Sequence, residues 1–140
     1  MQTQTTLPPI TLGNLDLARL EQMLESPALR GLPAAASLGA ELERARVLPA
    51  AQVPGDVVTM NATVTCVDEV SGDSHQFTLV FPQDADVATG RVSVLAPVGS
   101  ALLGLSVGQA IDWQAPGGRA LRLRVTEVVA APESASVLHR

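Results

Sequence analysis

The apolar positions change period once along the chain, near Asp56. Before that point they recur every three or four residues; after it they alternate. Leu17, Leu20 and Leu24 fall on one helical face and predict a helix over residues 15–25. Asn14 is the expected N-cap, and Asp16 lies in the first turn, where a carboxylate suits the helix dipole. Ser26-Pro27 interrupts the helix, because proline disfavours helical geometry in the residue before it. Pro33 then suits the first turn of a second helix, striped by Ala35, Leu38, Leu42 and Ala45, with Glu41, Glu43, Arg44 and Arg46 elsewhere. Two helices with one narrow stripe each and a short link predict an antiparallel hairpin, too slim to hold a core of its own.

From Asp56 the period is two. Val58, Met60, Ala62, Val64 and Cys66 share one face and Thr59, Asn61, Thr63 and Thr65 the other, which predicts a long half-buried strand. Ser71-Gly72-Asp73 reads as a turn. A second strand over 74–82 runs through Phe77, Leu79 and Phe81 and is closed by Pro82. Residues 83–90 are an acidic connection with Asp84 and Asp86, and Val92 and Val94 mark a short strand over 91–96. Pro97 then stops the chain, and a short apolar helix is expected over 99–103. It is too short to stand alone and has to lie across the sheet. Strands over 110–114 (Ile111 and Trp113 together) and 119–130 flank the turn Pro116-Gly117-Gly118. The last strand points Leu121, Leu123 and Val125 inward and Arg122, Arg124 and Thr126 outward. The pattern is α+β: an extended or loose lead-in over 1–13, a helical hairpin over 14–49, a sheet domain over 50–133 and a tail over 134–140.

Composition narrows the function. The 140 residues fit one domain with an appendage, and 46% of them are hydrophobic. Phe77, Phe81 and Trp113 are the only aromatics, so Val, Leu and Ala have to fill the core. Nine basic residues, all Arg, stand against 14 acids, a net charge of −5. That balance argues against independent nucleic-acid binding, which wants a basic surface. Cys66 is single, so an internal disulfide is ruled out; its apolar phase reads as a buried, inert thiol. His75 and His139 lack a second ligand at usable spacing and read as surface histidines. Of the acidic pairs, Glu21/Glu25 share a solvated helical face, Glu41/Glu43 point to different sides and Asp68/Glu69 lie by a turn; none reads as a catalytic pair. Gly99, Gly104 and Gly108 match neither the dinucleotide fingerprint nor the phosphate-binding loop. No catalytic residue, metal or cofactor is therefore assigned. With no secretory signal and no apolar run of membrane length, a soluble cytoplasmic protein away from the membrane is expected; a monomer is the expected state. Arg122 and Arg124 form a basic strip, either a solvated strand face or a contact for an acidic partner.

The runs Asp56-Val57-Val58-Thr59-Met60-Asn61, Ala96-Pro97-Val98-Gly99-Ser100-Ala101-Leu102-Leu103-Gly104-Leu105 and Pro116-Gly117-Gly118 together resemble the bacterial regulators of nucleoside diphosphate kinase. The pattern from Asn14-Leu15-Asp16 through Leu32-Pro33 does so as well. The carboxy-terminal part is in turn similar to the carboxy-terminal domain of the Gre transcript cleavage factors. The resemblance implies an FKBP-like domain, a curved sheet of about five strands with one short helix. It also implies an RNA polymerase binder that docks on a coiled coil of the largest subunit at the rim of the secondary channel. Its polymerase-facing residues would be Pro97, Val98, Gly99, Ser100, Ala101, Gly104 and Leu105, Leu105 standing where the cleavage factors usually carry a lysine. Those factors bring two acids to the active centre on a long coiled coil, where they help hold a catalytic magnesium. Here residues 26–33 are acid-free and the hairpin is short. The implied function is a non-enzymatic transcription regulator that competes with cleavage factors. A generic protein-interaction domain and a weak enzyme (transcript cleavage stimulation, or a prolyl isomerase poor in aromatics) stand as alternatives.

Overall fold

The computed structural model describes residues 9–114, 118 and 120–130; of Trp113 and Gln114 it describes the backbone. The lead-in before residue 9, the tail with His139, the inward side chain expected of Trp113 and most of the Pro116-Gly117-Gly118 turn lie outside the described residues.

The chain opens with β1 (Thr11–Gly13), α1 (Asn14–Leu24), α2 (Pro33–Arg44) and β2 (Arg46–Leu48). Pro33 starts α2 because the missing N–H costs nothing in a first turn. Leu20, Ala35, Leu38 and Leu42 are the buried members of the predicted stripes. The N-cap of α1 is Gly13, not Asn14. Asn14 instead turns its side chain outward from the helix, and its Oδ1 accepts the Ala50 N–H at 2.9 Å. β1 and β2 pair in parallel, Leu12 opposite Val47, and close the base of the hairpin. Strands of three residues are too short to show a period, so this pair had no sequence signal.

The expected strand from Asp56 is broken. Asn61 adopts φ 68°, the left-handed region that asparagine tolerates. Residues before it leave the sheet: the Val58 N–H donates to Leu105 O at 2.8 Å, and Val58 O accepts the Gly104 N–H at 2.9 Å. The strand proper is β3 (Thr63–Asp68), followed by β4 (Ser74–Val80), β5 (Arg91–Ser93), α3 (Pro97–Leu102), β6 (Ala110–Gln114) and β7 (Ala120–Val129). The order across the sheet is β5-β4-β3-β7-β6. All neighbours are antiparallel except β4 and β5, which run parallel because residues 81–90 carry the chain back along the sheet edge.

This topology corrects the FKBP-like expectation. The sheet is open, with β5 and β6 as separate edges; it neither curls nor closes around α3. The physical reason is at the edges. β5 has three residues before Pro97 starts α3, and β6 has five, paired to β7 alone. Neither is long enough to carry the sheet round on itself.

Leu102 and Leu103 are both buried, at 1% and 0% exposure. They join Leu20, Leu38 and Leu42 of the hairpin and Val64, Leu79, Leu123 and Val125 of the sheet in one apolar cluster. Each fully buried leucine removes enough apolar surface to stabilise the fold by about 1.5–3 kcal/mol. The helices therefore lie on the sheet's core. Among the described residues no helix is long and apolar enough to cross a membrane.

Candidate functional site

The segment from Pro97 to Gln109 is where hairpin, sheet and short helix meet. Pro97 at the first turn of α3 is exposed, Ser100 and Ala101 are half-buried, and Val98 and Gly99 face inward. Gly99 has no room for a side chain: a Cβ there would lie 2.2 Å from Ser93 O and 3.2 Å from Leu79 Cδ1. The helix thus rests directly on the end of β5. Gly104 follows at φ +82°, and a Cβ on it would lie 2.7 Å from Ile10 Cβ. Its carbonyl accepts the Thr11 N–H at 3.0 Å. Leu105, one of the residues expected to face a partner, is fully buried, so its side chain belongs to the core.

Residues 106–109 form a turn tied on every side. Ser106 bridges Val57, the Val107 N–H donates to Asp56 O at 3.0 Å, and the Gly108 N–H donates to Val125 O at 2.8 Å. Gln109 Oε1 accepts the Ser106 N–H at 2.7 Å, and its Nε2 donates to Pro9 O at 3.2 Å. The result is a clip holding the amino-terminal lead-in against the sheet.

Arg122 and Arg124 do point outward from β7, but each faces acids of this chain. Arg122 Nε donates to Glu69 Oε1 at 3.1 Å and its Nη1 to Asp112 Oδ1 at 2.9 Å. Arg124 takes Glu69 through two nitrogens, Nε to Oε2 at 2.6 Å and Nη2 to Oε1 at 3.3 Å. Arg124 Nη1 donates to the Gly108 carbonyl. The Arg124 guanidinium, joined by Arg122, holds the Glu69 carboxyl below its ordinary value. Asp112 and Glu69 raise the already high pKa of Arg122. Beneath them Asp68 is buried: burial pushes its pKa up, but the N–H groups of Val70 and Arg122 and the Ser71 hydroxyl outweigh that and leave it low.

Other groups carry no constellation. Burial pushes the Cys66 thiol up to about 11, which keeps it protonated and unreactive. His75 is half-buried, not a surface residue; it stacks on Phe77 with 6.2 Å between ring centroids. Among the described residues no three His, Cys, Asp or Glu side chains gather to hold a metal ion. The turn over residues 26–33 shows no carboxylate; Arg30 is its one charge.

Sequence reasoning missed Asn14, Asp16, Glu69 and Gln109 as joining residues. Their partners lie far along the chain, and nothing in local spacing announces them. Asp16 Oδ2 accepts the Met60 N–H at 3.1 Å, and Arg19 stacks its guanidinium 4.9 Å from the Phe81 ring centre. Burial raises the Asp16 pKa, against the pull of that N–H and of Arg19.

The comparisons with known proteins match the two parts of the chain separately. The family described as "Transcription elongation factor, GreA/GreB, C-term" matches residues 53–130, and the one described as "Rnk N-terminus" matches residues 8–48. The "Regulator of nucleoside diphosphate kinase" of Escherichia coli (strain K12) is 44% identical over 128 residues, 91% of this chain and 94% of that protein. The "Transcription elongation factor GreA" of Mesorhizobium japonicum is 42% identical over 77 residues, 55% of this chain but 49% of the factor. The solved structure titled "Prokaryotic transcription elongation factor GreA/GreB from Nitrosomonas europaea" superposes with a TM-score of 0.74 at 46% identity, covering 88% of this chain and 99% of that one. An open mixed sheet clipped to a helical hairpin thus places the protein in the GreA/GreB class. Within that class the chain belongs to the family of regulators of nucleoside diphosphate kinase.

Proposed function

We propose that this protein is a non-enzymatic transcription regulator that binds RNA polymerase near the secondary channel and competes there with transcript cleavage factors. The observation that carries the reading is the pairing of a GreA/GreB-type sheet domain with a hairpin of 11- and 12-residue helices whose tip over residues 26–33 has no acid, Glu25 standing alone just before it. Holding magnesium at a scissile phosphate calls for carboxylates at the tip of an element that reaches it. A helix of this length spans only about 16–18 Å.

In this reading the hairpin over 14–49 and the sheet domain over 50–133 share the work, a division supported by family matches that meet between residues 48 and 53. The partner is the coiled coil of the polymerase's largest subunit. Pro97, Ser100 and Ala101 supply the contacts; Val98, Gly99, Gly104 and Leu105 shape them from below. Arg124 contributes through the Gly108 carbonyl that it holds, and Arg122 through Glu69, which both arginines bind. The protein acts as a monomer in the cytoplasm, and an effect on nucleoside diphosphate kinase would follow from, or run beside, polymerase binding.

The test is capture of purified core polymerase by the tagged protein, followed by displacement with a cleavage factor. Binding with mutual displacement is expected, with no transcript shortening in a stalled complex above the polymerase's own rate. Failure to bind, or simultaneous binding of both factors, overturns the reading.

A further inference from the structure

We propose that Arg124 and Glu69 act as a pair to position the turn over residues 106–109, and through it α3, and that Arg124 is not a contact for an acidic partner. This rests on the polymerase-binding reading only for where its effect is felt. Three observations carry it. Arg124 spends Nε and Nη2 on Glu69 in a two-point clamp and Nη1 on the Gly108 carbonyl, so its fork is directed into the chain. Its charge is matched: Glu69 and Asp112 face the two arginines, which leaves no uncompensated basic strip. And Gly108 lies in the turn that ties Asp56, Val57 and Pro9 to the end of the α3 segment.

Gly108 is at φ +97° with open space around the site of a Cβ, so side-chain packing does not hold it. Its N–H is fixed by Val125 on β7, and its carbonyl by Arg124, one residue before Val125 on the same strand. Strand β7 therefore grips both sides of the turn. Glu69 sits just past β3 and fixes the rotamer of the gripping arginine, since a long flexible side chain loses its pre-organisation without a planar partner. An isolated exposed ion pair contributes little; a two-point arginine–carboxylate pair within a network is the case in which geometry is held.

The two roles for Arg124 predict opposite signs for one substitution. If Arg124 met an acidic partner, Glu69→Gln would release its charge and tighten binding. If the pair positions the turn, Glu69→Gln weakens it. The experiment is a double-mutant cycle of Glu69→Gln and Arg124→Gln in polymerase capture, with amide hydrogen exchange at Val107, Gly108 and Gln109 read on the free protein. Each single variant is expected to weaken capture by about fivefold, as for a well-formed charged contact, and the double variant no further. All three variants are expected to exchange faster at those amides, and Arg124→Lys is expected to fail to restore protection because it lacks the fork. Tighter capture by Glu69→Gln, additive losses, or unchanged exchange would each overturn the proposal. If the unsubstituted protein does not capture polymerase, the functional reading fails, while the exchange measurement still decides the role of the pair.

Discussion

Gly104 and Gly108 share a left-handed backbone but differ in surroundings, which separates two costs normally measured together. At Gly108 an added methyl meets open space, so Gly108→Ala pays the backbone term alone, about 1–2 kcal/mol. At Gly104 the same methyl also strikes Ile10, and Gly104→Ala is expected to lose about 1–3 kcal/mol more through overpacking. Urea melts of the two variants check the difference. The carboxylates separate by sign. Glu69 is held below its ordinary 4.5, so its contribution is present above that value and lost as pH falls through the depressed one. Asp16 is raised above 3.8, so its contribution is present below that value and lost as pH rises through the raised one. Asp16→Asn keeps an acceptor for the Met60 N–H without the buried charge. It is expected to be more stable than the parent near pH 7 and to lose most of that advantage at about pH 4, where the parent's carboxyl is largely protonated; melts at both pH values decide it. Neither carboxylate was legible as a joint in the sequence. Asp16 read as a helix-dipole acid and Glu69 as an acid beside a turn, because a partner 44 or 55 positions away leaves no local pattern.

At the scale of elements the periods were informative wherever a face is buried and silent where it is not. The stripe of Leu38 and Leu42 marks α2, the alternation of Leu121, Leu123 and Val125 marks β7, and both follow from one-sided burial. The first strand was overextended because alternation continues through Thr59 and Asn61, where the backbone turns to hand Val58 to Leu105. The curved, FKBP-like sheet failed for a different reason: closure depends on edge length and on the parallel return of β5, which alternation does not encode. α3 was legible as a short helix needing support, and both of its neighbouring leucines found it. Leu102→Ala and Leu103→Ala are each expected to cost about 2–5 kcal/mol through lost transfer energy and a residual cavity. A loss below about 1 kcal/mol in urea melts would remove this segment from the packing centre.

For the whole molecule, reach and charge are separate limits on what the hairpin does. Arg30→Asp with Leu32→Glu would place two acids on the exposed connecting turn. The doubly substituted protein is still expected to leave stalled transcripts unshortened, because the helices remain about 16–18 Å long. Shortening by that variant in a purified magnesium-containing complex would show charge to be the limiting defect. The same clip that seats the hairpin also sets the order in which the molecule can be made. Thr11 waits for Gly104 and Pro9 for Gln109. At about 5–20 residues per second of synthesis, that is an interval of about 5–20 s. For much of it the Leu20, Leu38 and Leu42 stripe is outside the ribosome without the completed sheet to cover it. A nascent chain stalled before Gly104 emerges is expected to be cut readily by protease within the hairpin. One stalled after Gln109 and β7 have emerged is expected to resist, so the hairpin is made before the sheet but secured only after it.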